Sequence, residues 1–84
     1  MRITYTKHAK KKFSDLRAFG IIVTVARVSE TIEKPKYHSI DNSNSVVAAD
    51  FDKQHNLRVV DKQQRNDIII ITFYVYRKGR YGEN

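Results

Sequence analysis

The chain has 84 residues, no cysteine and one proline. That is enough for one domain, and it excludes a disulfide framework or a thiolate zinc site. No apolar run approaches the roughly 20 residues a membrane helix needs, and the opening MRITY is too polar for a secretory leader, so the expectation is a single soluble, cytoplasmic domain over 1–84. The formal net charge is +7, and it is carried by the two ends. Residues 1–20 hold Arg2, Lys7, Lys10, Lys11, Lys12 and Arg17 against Asp15, while residues 75–84 hold Arg77, Lys78 and Arg80 against Glu83. The cations and acids between them balance. If the ends meet in space they form one basic face, suited to nucleic acid or an acidic protein. The alternative is that the lysines only solvate a helix.

In chain order, residues 2–6 alternate, with Ile3 and Tyr5 on one side, and predict a short strand. The Thr6 hydroxyl can cap a following helix over 7–19. Ala9, Phe13, Leu16 and Gly20 form its apolar stripe, and Gly20 is its natural stop. Ile21, Val25, Val28 and Ile32 repeat that spacing and predict a second helix from about Thr24 to Glu33, ended by Pro35. The periodicity then changes to that of strands: 37–40, 46–51, 57–61 and 68–76. Polar turns at 41–45 and 52–56 and a hairpin loop at 62–67 separate them. The unbroken apolar run of the last strand predicts a central position covered on both faces. Within it, Phe73 and Val75 fall on one side, and Ile70, Tyr74 and Tyr76 on the other. The order is β-α-α-β-β-β-β, an α+β arrangement with both helices on one face of an antiparallel sheet.

The chemistry concentrates in LRVVDKQQRNDIIIITFYVYRKGRY, where Arg58 lies inside a strand and Arg77, Lys78, Arg80 and Tyr81 close the next. Guanidinium forks match phosphate oxygens. Metal-free RNA cleavage needs such cations beside an acid/base group, because the 2′-hydroxyl is the nucleophile. His8, one turn inside the first helix, is the candidate acid/base, with a hydrogen bond anchoring helix to sheet as its alternative role. Arg58 could instead pair with Asp61 or Asp50. Lys10, Lys11 and Lys12 would add sequence-independent attraction for a polyanion. His38 and His55 fall in or near loops. The three histidines show no ligand spacing, so no metal or cofactor is expected. A sheet covered on one face would leave an apolar surface for a partner protein or a second copy to cover.

The opening ITYTKHAKKKF, the short second helix ending near a proline, LRVV and IIIITFYVYR together resemble the RelE/ParE-type toxin superfamily. The likeness is nearest to its small domains that open with T-x-H-A-x-x-R. It covers nearly the whole chain as an order of elements, with Lys12 in place of the arginine and Asp61 where a tyrosine often follows the V-V pair. The resemblance implies a RelE-like fold, in a superfamily that includes toxins that cleave ribosome-bound mRNA, gyrase inhibitors and members with no known activity; toxins of this kind are typically neutralised by a short acidic antitoxin. It also implies that Arg58 contacts the scissile phosphate, that Arg77 or Arg80 is a second arginine, and that Tyr81 serves proton transfer or base stacking. Two alternatives keep the fold without the chemistry. One is a non-catalytic module that binds nucleic acid or protein through its basic face; the other is a subunit that dimerises through its sheet.

Overall fold

The computed structural model describes residues 2–82. Its elements are β1 (Arg2–Tyr5), α1 (Lys7–Ala18), α2 (Val25–Glu33), β2 (Tyr37–Asp41), β3 (Asn44–Asp50), β4 (His55–Gln64) and β5 (Asp67–Arg77). One five-stranded sheet has the order β1-β5-β4-β3-β2. Among the described residues, no helix is long and apolar enough to cross a membrane.

The helices start and stop where local chemistry directs. The Thr6 hydroxyl accepts from the Ala9 amide at 3.1 Å and donates to the Ile71 carbonyl at 3.0 Å, so one side chain caps α1 and ties it to β5. Thr24 caps α2 by accepting from the Arg27 amide at 3.2 Å. Gly20, at φ 80°, closes α1, and the Ile21 amide reaches back to the Leu16 carbonyl.

The sheet departs from the sequence expectation in three ways. β1 runs parallel to β5, with Ile3 opposite Ile68 and Tyr5 opposite Ile70, so the sheet is mixed and not antiparallel. The expected loop at 62–67 is mostly strand. Lys62, Gln63 and Gln64 pair with Ile69, Ile68 and Asp67, which leaves a two-residue turn at Arg65 and Asn66. Ladder hydrogen bonds are indifferent to side-chain polarity, so exposed polar residues extend the hairpin. The β2–β3 hairpin is tightened likewise: Asn42 and Ser43 both have positive φ and make a two-residue turn, as the right-handed twist of hairpins favours. Finally, Val60 faces Thr72 but Asp61 faces Ile70, so Ile71 is an extra residue in β5. That bulge changes the phase of the strand. Ile70 joins Phe73 and Val75 on the helix side, not Tyr74 and Tyr76 on the other.

Both helices lie on one face. The core there combines Ala9, Val23 and Val28 with Val47, Leu57, Val59, Ile68, Ile70 and Phe73. Phe73 stacks against Phe13 at 4.6 Å between ring centroids, and Phe13 against Tyr5 at 5.6 Å. The Tyr5 hydroxyl is buried without a hydrogen-bond partner among the described residues, and burial pushes its pKa up. The opposite face carries Ala48, Arg58, Val60, Thr72, Tyr74 and Tyr76 by alternation and register. β5 is thus an inner strand with a helix layer on one side only. Most of the large exposed apolar side chains are elsewhere than on this open face: Phe19, Ile22 and Val25 in and beside the α1–α2 connection and Ile40 on β2, with Tyr81 the exception.

Candidate functional site

Two groups of side chains meet where β4 begins and β5 ends. The first is on the open face. Arg58 stands opposite Tyr74 in the register, and Asn56 opposite Tyr76. The chain turns after β5 and lays Tyr81 over Arg58, with the guanidinium carbon 4.0 Å from the ring centroid. Tyr76 meets the same ring edge-on at 4.9 Å and lies 6.0 Å from the guanidinium. Beneath them, the fully buried Asn56 donates to the Tyr76 hydroxyl at 3.3 Å. Arg58 Nε and Nη1 are buried with no hydrogen-bond partner among the described residues. An unmet buried donor costs about 1–3 kcal/mol, and more when charged. The cation–π contact offsets only part of that, because such contacts contribute roughly 0.5–2 kcal/mol.

Neither anion suggested for Arg58 reaches it. Asp50 is held by Lys78 at 3.0 Å and Lys36 at 3.3 Å, and these hydrogen-bonded ammonium groups keep its pKa below the usual carboxylate range, that of Lys78 foremost. Asp61 is three residues along β4, and side chains three apart on a strand point to opposite faces. It is buried toward the helices, with Leu57 and Val59.

The second group occupies the helix side of the same strand ends. His55, the first residue of β4, pairs with Arg77, the last of β5. A cleft of about 370 Å³ is lined by His55, Asp52, Arg77 and Arg80, with Ile21, Phe51 and Val75 as apolar wall. The β3–β4 turn that supplies the acid and the imidazole is built around one carboxylate. Asp52 Oδ1 accepts from the amides of Gln54 (2.9 Å) and His55 (2.8 Å) and sits 2.9 Å from His55 Nδ1. These bonds lower the Asp52 pKa, the His55 side chain contributing most. An Nδ1–H donated to Asp52 leaves Nε2 as the free basic nitrogen of the ring. From α2, Arg27 holds the turn by donating to the carbonyls of Asp50 and Phe51 and stacking on the Phe51 ring at 4.8 Å. Lys78 holds it from just past β5 through its amide, which donates to the Gln54 carbonyl at 2.8 Å.

The two groups share a border. Tyr76 and Arg80 line the cleft, and both also approach Tyr81, Arg80 at 5.9 Å. Arg58, Arg80 and Tyr81 are therefore brought together, with Arg77 just across the strand end. The remaining expected residues are not. Lys10, Lys11 and Lys12 belong to α1, in the helix layer, on the far side of the sheet from Arg58. Lys11 is engaged with Asp15 at 3.7 Å, one helical turn on. His8 is exposed in the first turn of α1, with no hydrogen-bond partner among the described residues, so it neither joins the arginines nor anchors helix to sheet. Lys78 is at the right end, but its ammonium is committed to Asp50. The single basic face expected from the two charged ends is thus divided between the layers.

The residues the sequence reading missed are His55 and Asp52. His38 and His55 lie on strands and both have partners: His38 Nε2 is 3.1 Å from the Ser45 hydroxyl, and His55 is held by Asp52. The signal was available in the spacing Asp-x-x-His, since an aspartate opening a turn readily receives the amides and side chains two and three residues on.

No family model, no curated protein and no solved structure matches this chain.

Proposed function

We propose that this protein is a RelE-like toxin that cleaves mRNA through the 2′-hydroxyl, with its working groups at the β4–β5 strand end. The observation that carries this reading is the cleft in which a carboxylate-held imidazole, His55 on Asp52, stands with two arginines, Arg77 and Arg80. His55 Nε2 takes the proton of the 2′-hydroxyl. The oxygen so freed bonds to the adjacent phosphorus, the bond from phosphorus to the 5′ oxygen breaks, and water protonates the departing oxygen. Arg77 and Arg80 stabilise the negative charge that gathers on the phosphate during this exchange. Arg58 binds a neighbouring phosphate, and Tyr81 offers a ring on which a base stacks. The products are a 2′,3′-cyclic phosphate and a 5′-hydroxyl. An acidic antitoxin opposing the basic strand end is part of the same proposal.

The test is incubation with translating ribosomes and with naked single-stranded RNA, followed by mapping of the new RNA ends. Cleavage is expected to fall by about 10²–10⁴-fold in His55→Ala, the usual contribution of a general base, and to stop at a 2′-deoxy position. Undiminished cleavage in His55→Ala, or cut deoxy substrate, would refute the assignment.

A second reading rests on the open face: Arg58, with unmet donors under Tyr81, also suits a non-catalytic module that grips single-stranded nucleic acid by one phosphate and a stacked base. It predicts binding that weakens with salt, no new RNA ends, and a loss of affinity in Arg58→Ala.

A further inference from the structure

Asp61 is the buried acid among the described residues, and neither the strand-end cleft nor the open face uses it. The residue is 3% exposed. Its carboxylate has no hydrogen bond or ion pair among the described residues; its one electrostatic neighbour is His38, whose Nε2 is turned to Ser45. It lines a cavity of about 220 Å³ between the end of α2 and strands β2, β3, β4 and β5. His38, Ser45 and Gln63 supply the other polar groups of that wall, and Ile32, Pro35, Val47 and Ile68 the apolar part. A second hollow of about 300 Å³ opens beside it and shares His38, Ser45 and Gln63.

A carboxylate withdrawn from water without a donor is unfavourable unless something supplies the missing positive charge. The walls say what that something is. An anion would be repelled by Asp61. A bare metal ion would need several oxygen or nitrogen ligands, and no group of three or more His, Cys, Asp or Glu among the described residues could hold one. An alkylammonium ion satisfies both halves of the cavity: its N–H groups meet Asp61 and the side-chain oxygens of Gln63 and Ser45, and its hydrocarbon lies on Ile32, Pro35, Val47 and Ile68. We infer that the cavity beside Asp61 is a binding site for a small organic ammonium ion, with the Asp61 carboxylate as its counter-ion. The site is separate from the strand-end cleft, with which it shares no lining residue, so it stands whether or not the protein cleaves RNA.

The experiment is a titration of the whole protein with n-butylammonium chloride at pH 7.5 and constant ionic strength, followed by amide NMR. Saturable shifts are expected at Asp61, Gln63, Ser45 and Val47, with affinity reduced at least tenfold in Asp61→Asn and unchanged in His55→Ala. The uncharged isostere 1-butanol provides the same contrast in the unaltered protein, so the test survives if the variant folds poorly; butanol is expected to bind at least tenfold more weakly. Absence of saturable shifts, equal affinity in Asp61→Asn, or equal affinity for butanol would each overturn the inference.

Discussion

β4 draws one charged side chain out of water on each face of the sheet, leaving Lys62 exposed. Arg58 lies on the open face beneath tyrosines, and Asp61 lies on the helix face beside a cavity. Only two residues separate them, and in a helix they could have paired. In a strand the two-residue period turns them apart, so neither neutralises the other. The two faces accommodate them differently. On the helix side the surroundings are a dry core in which Leu57, Val59, Ile70 and Phe73 are fully buried. On the open side the cover is a single pass of chain whose outermost ring, Tyr81, is itself 46% exposed. The helix face holds the larger apolar core, and the groups able to meet an outside anion lie around it, Arg58 on the open face and Arg77 and Arg80 at the strand end.

The largest test of that division is truncation on each face. Phe73→Ala should cost about 3–5 kcal/mol, as large cavities in dry cores do. Val60→Ala, on the half-buried open face, should cost less than about 1.5 kcal/mol, because less apolar surface is lost. Urea denaturation of the two variants gives both numbers, and similar costs would erase the distinction between the faces.

Next in size is the pH dependence set by Asp61. Burial holds its carboxyl above the usual range, so the folded chain keeps that proton at pH values where the unfolded chain releases it. The ionised carboxylate therefore weakens the fold at neutral pH, and the penalty is relieved as pH falls through the raised value toward the ordinary carboxylate range. Asp61→Asn should be insensitive to this effect. The stability of the parent relative to the variant should rise as pH falls through the raised value and level off near about pH 4, where unfolded aspartate takes up its proton. Asp50 and Asp52 act in the opposite sense and lower down: hydrogen bonds to Lys78 and His55 depress them, so their contributions are lost only as pH falls through their lowered values. A flat difference between parent and variant would mean that Asp61 has a partner.

Arg58→Met should change the unfolding free energy by less than about 1 kcal/mol, since the lost cation–π contact and the removed unmet donors oppose each other. A loss of several kcal/mol would show that the guanidinium is structural and not held for a ligand. Smallest is Tyr5→Phe. Removing a buried hydroxyl that has no partner should leave stability unchanged or raise it by up to about 1 kcal/mol, and a drop would reveal a bond to that oxygen.

What was legible in the sequence was local. Thr6, Thr24 and Gly20 announce the helix ends because capping depends on a few neighbouring atoms, and Asn42-Ser43 announces its turn for the same reason. Alternation in LRVV, followed strictly, already separates Arg58 from Asp61. The direction of β1 was not legible, because pairing across more than sixty residues leaves no periodic trace in either strand. Neither was the bulge at Ile71, since in an unbroken isoleucine run every register looks equally apolar. The site divided along the same line. Tyr81 and Arg58 were expected together, and they are. The lysines of α1 were drawn in by net charge, a sum that ignores which layer a residue belongs to. His55 was passed over because its partner, Asp52, acts through turn geometry.

The most direct test of the central claim, that RNA is handled at the β4–β5 strand end, is amide NMR during titration with a short single-stranded RNA. Chemical-shift changes should cluster at His55, Arg58, Tyr76, Arg77, Arg80 and Tyr81 and leave Lys10, Lys11 and Lys12 unmoved. Changes confined to α1, or none at a saturating concentration of RNA, would contradict it.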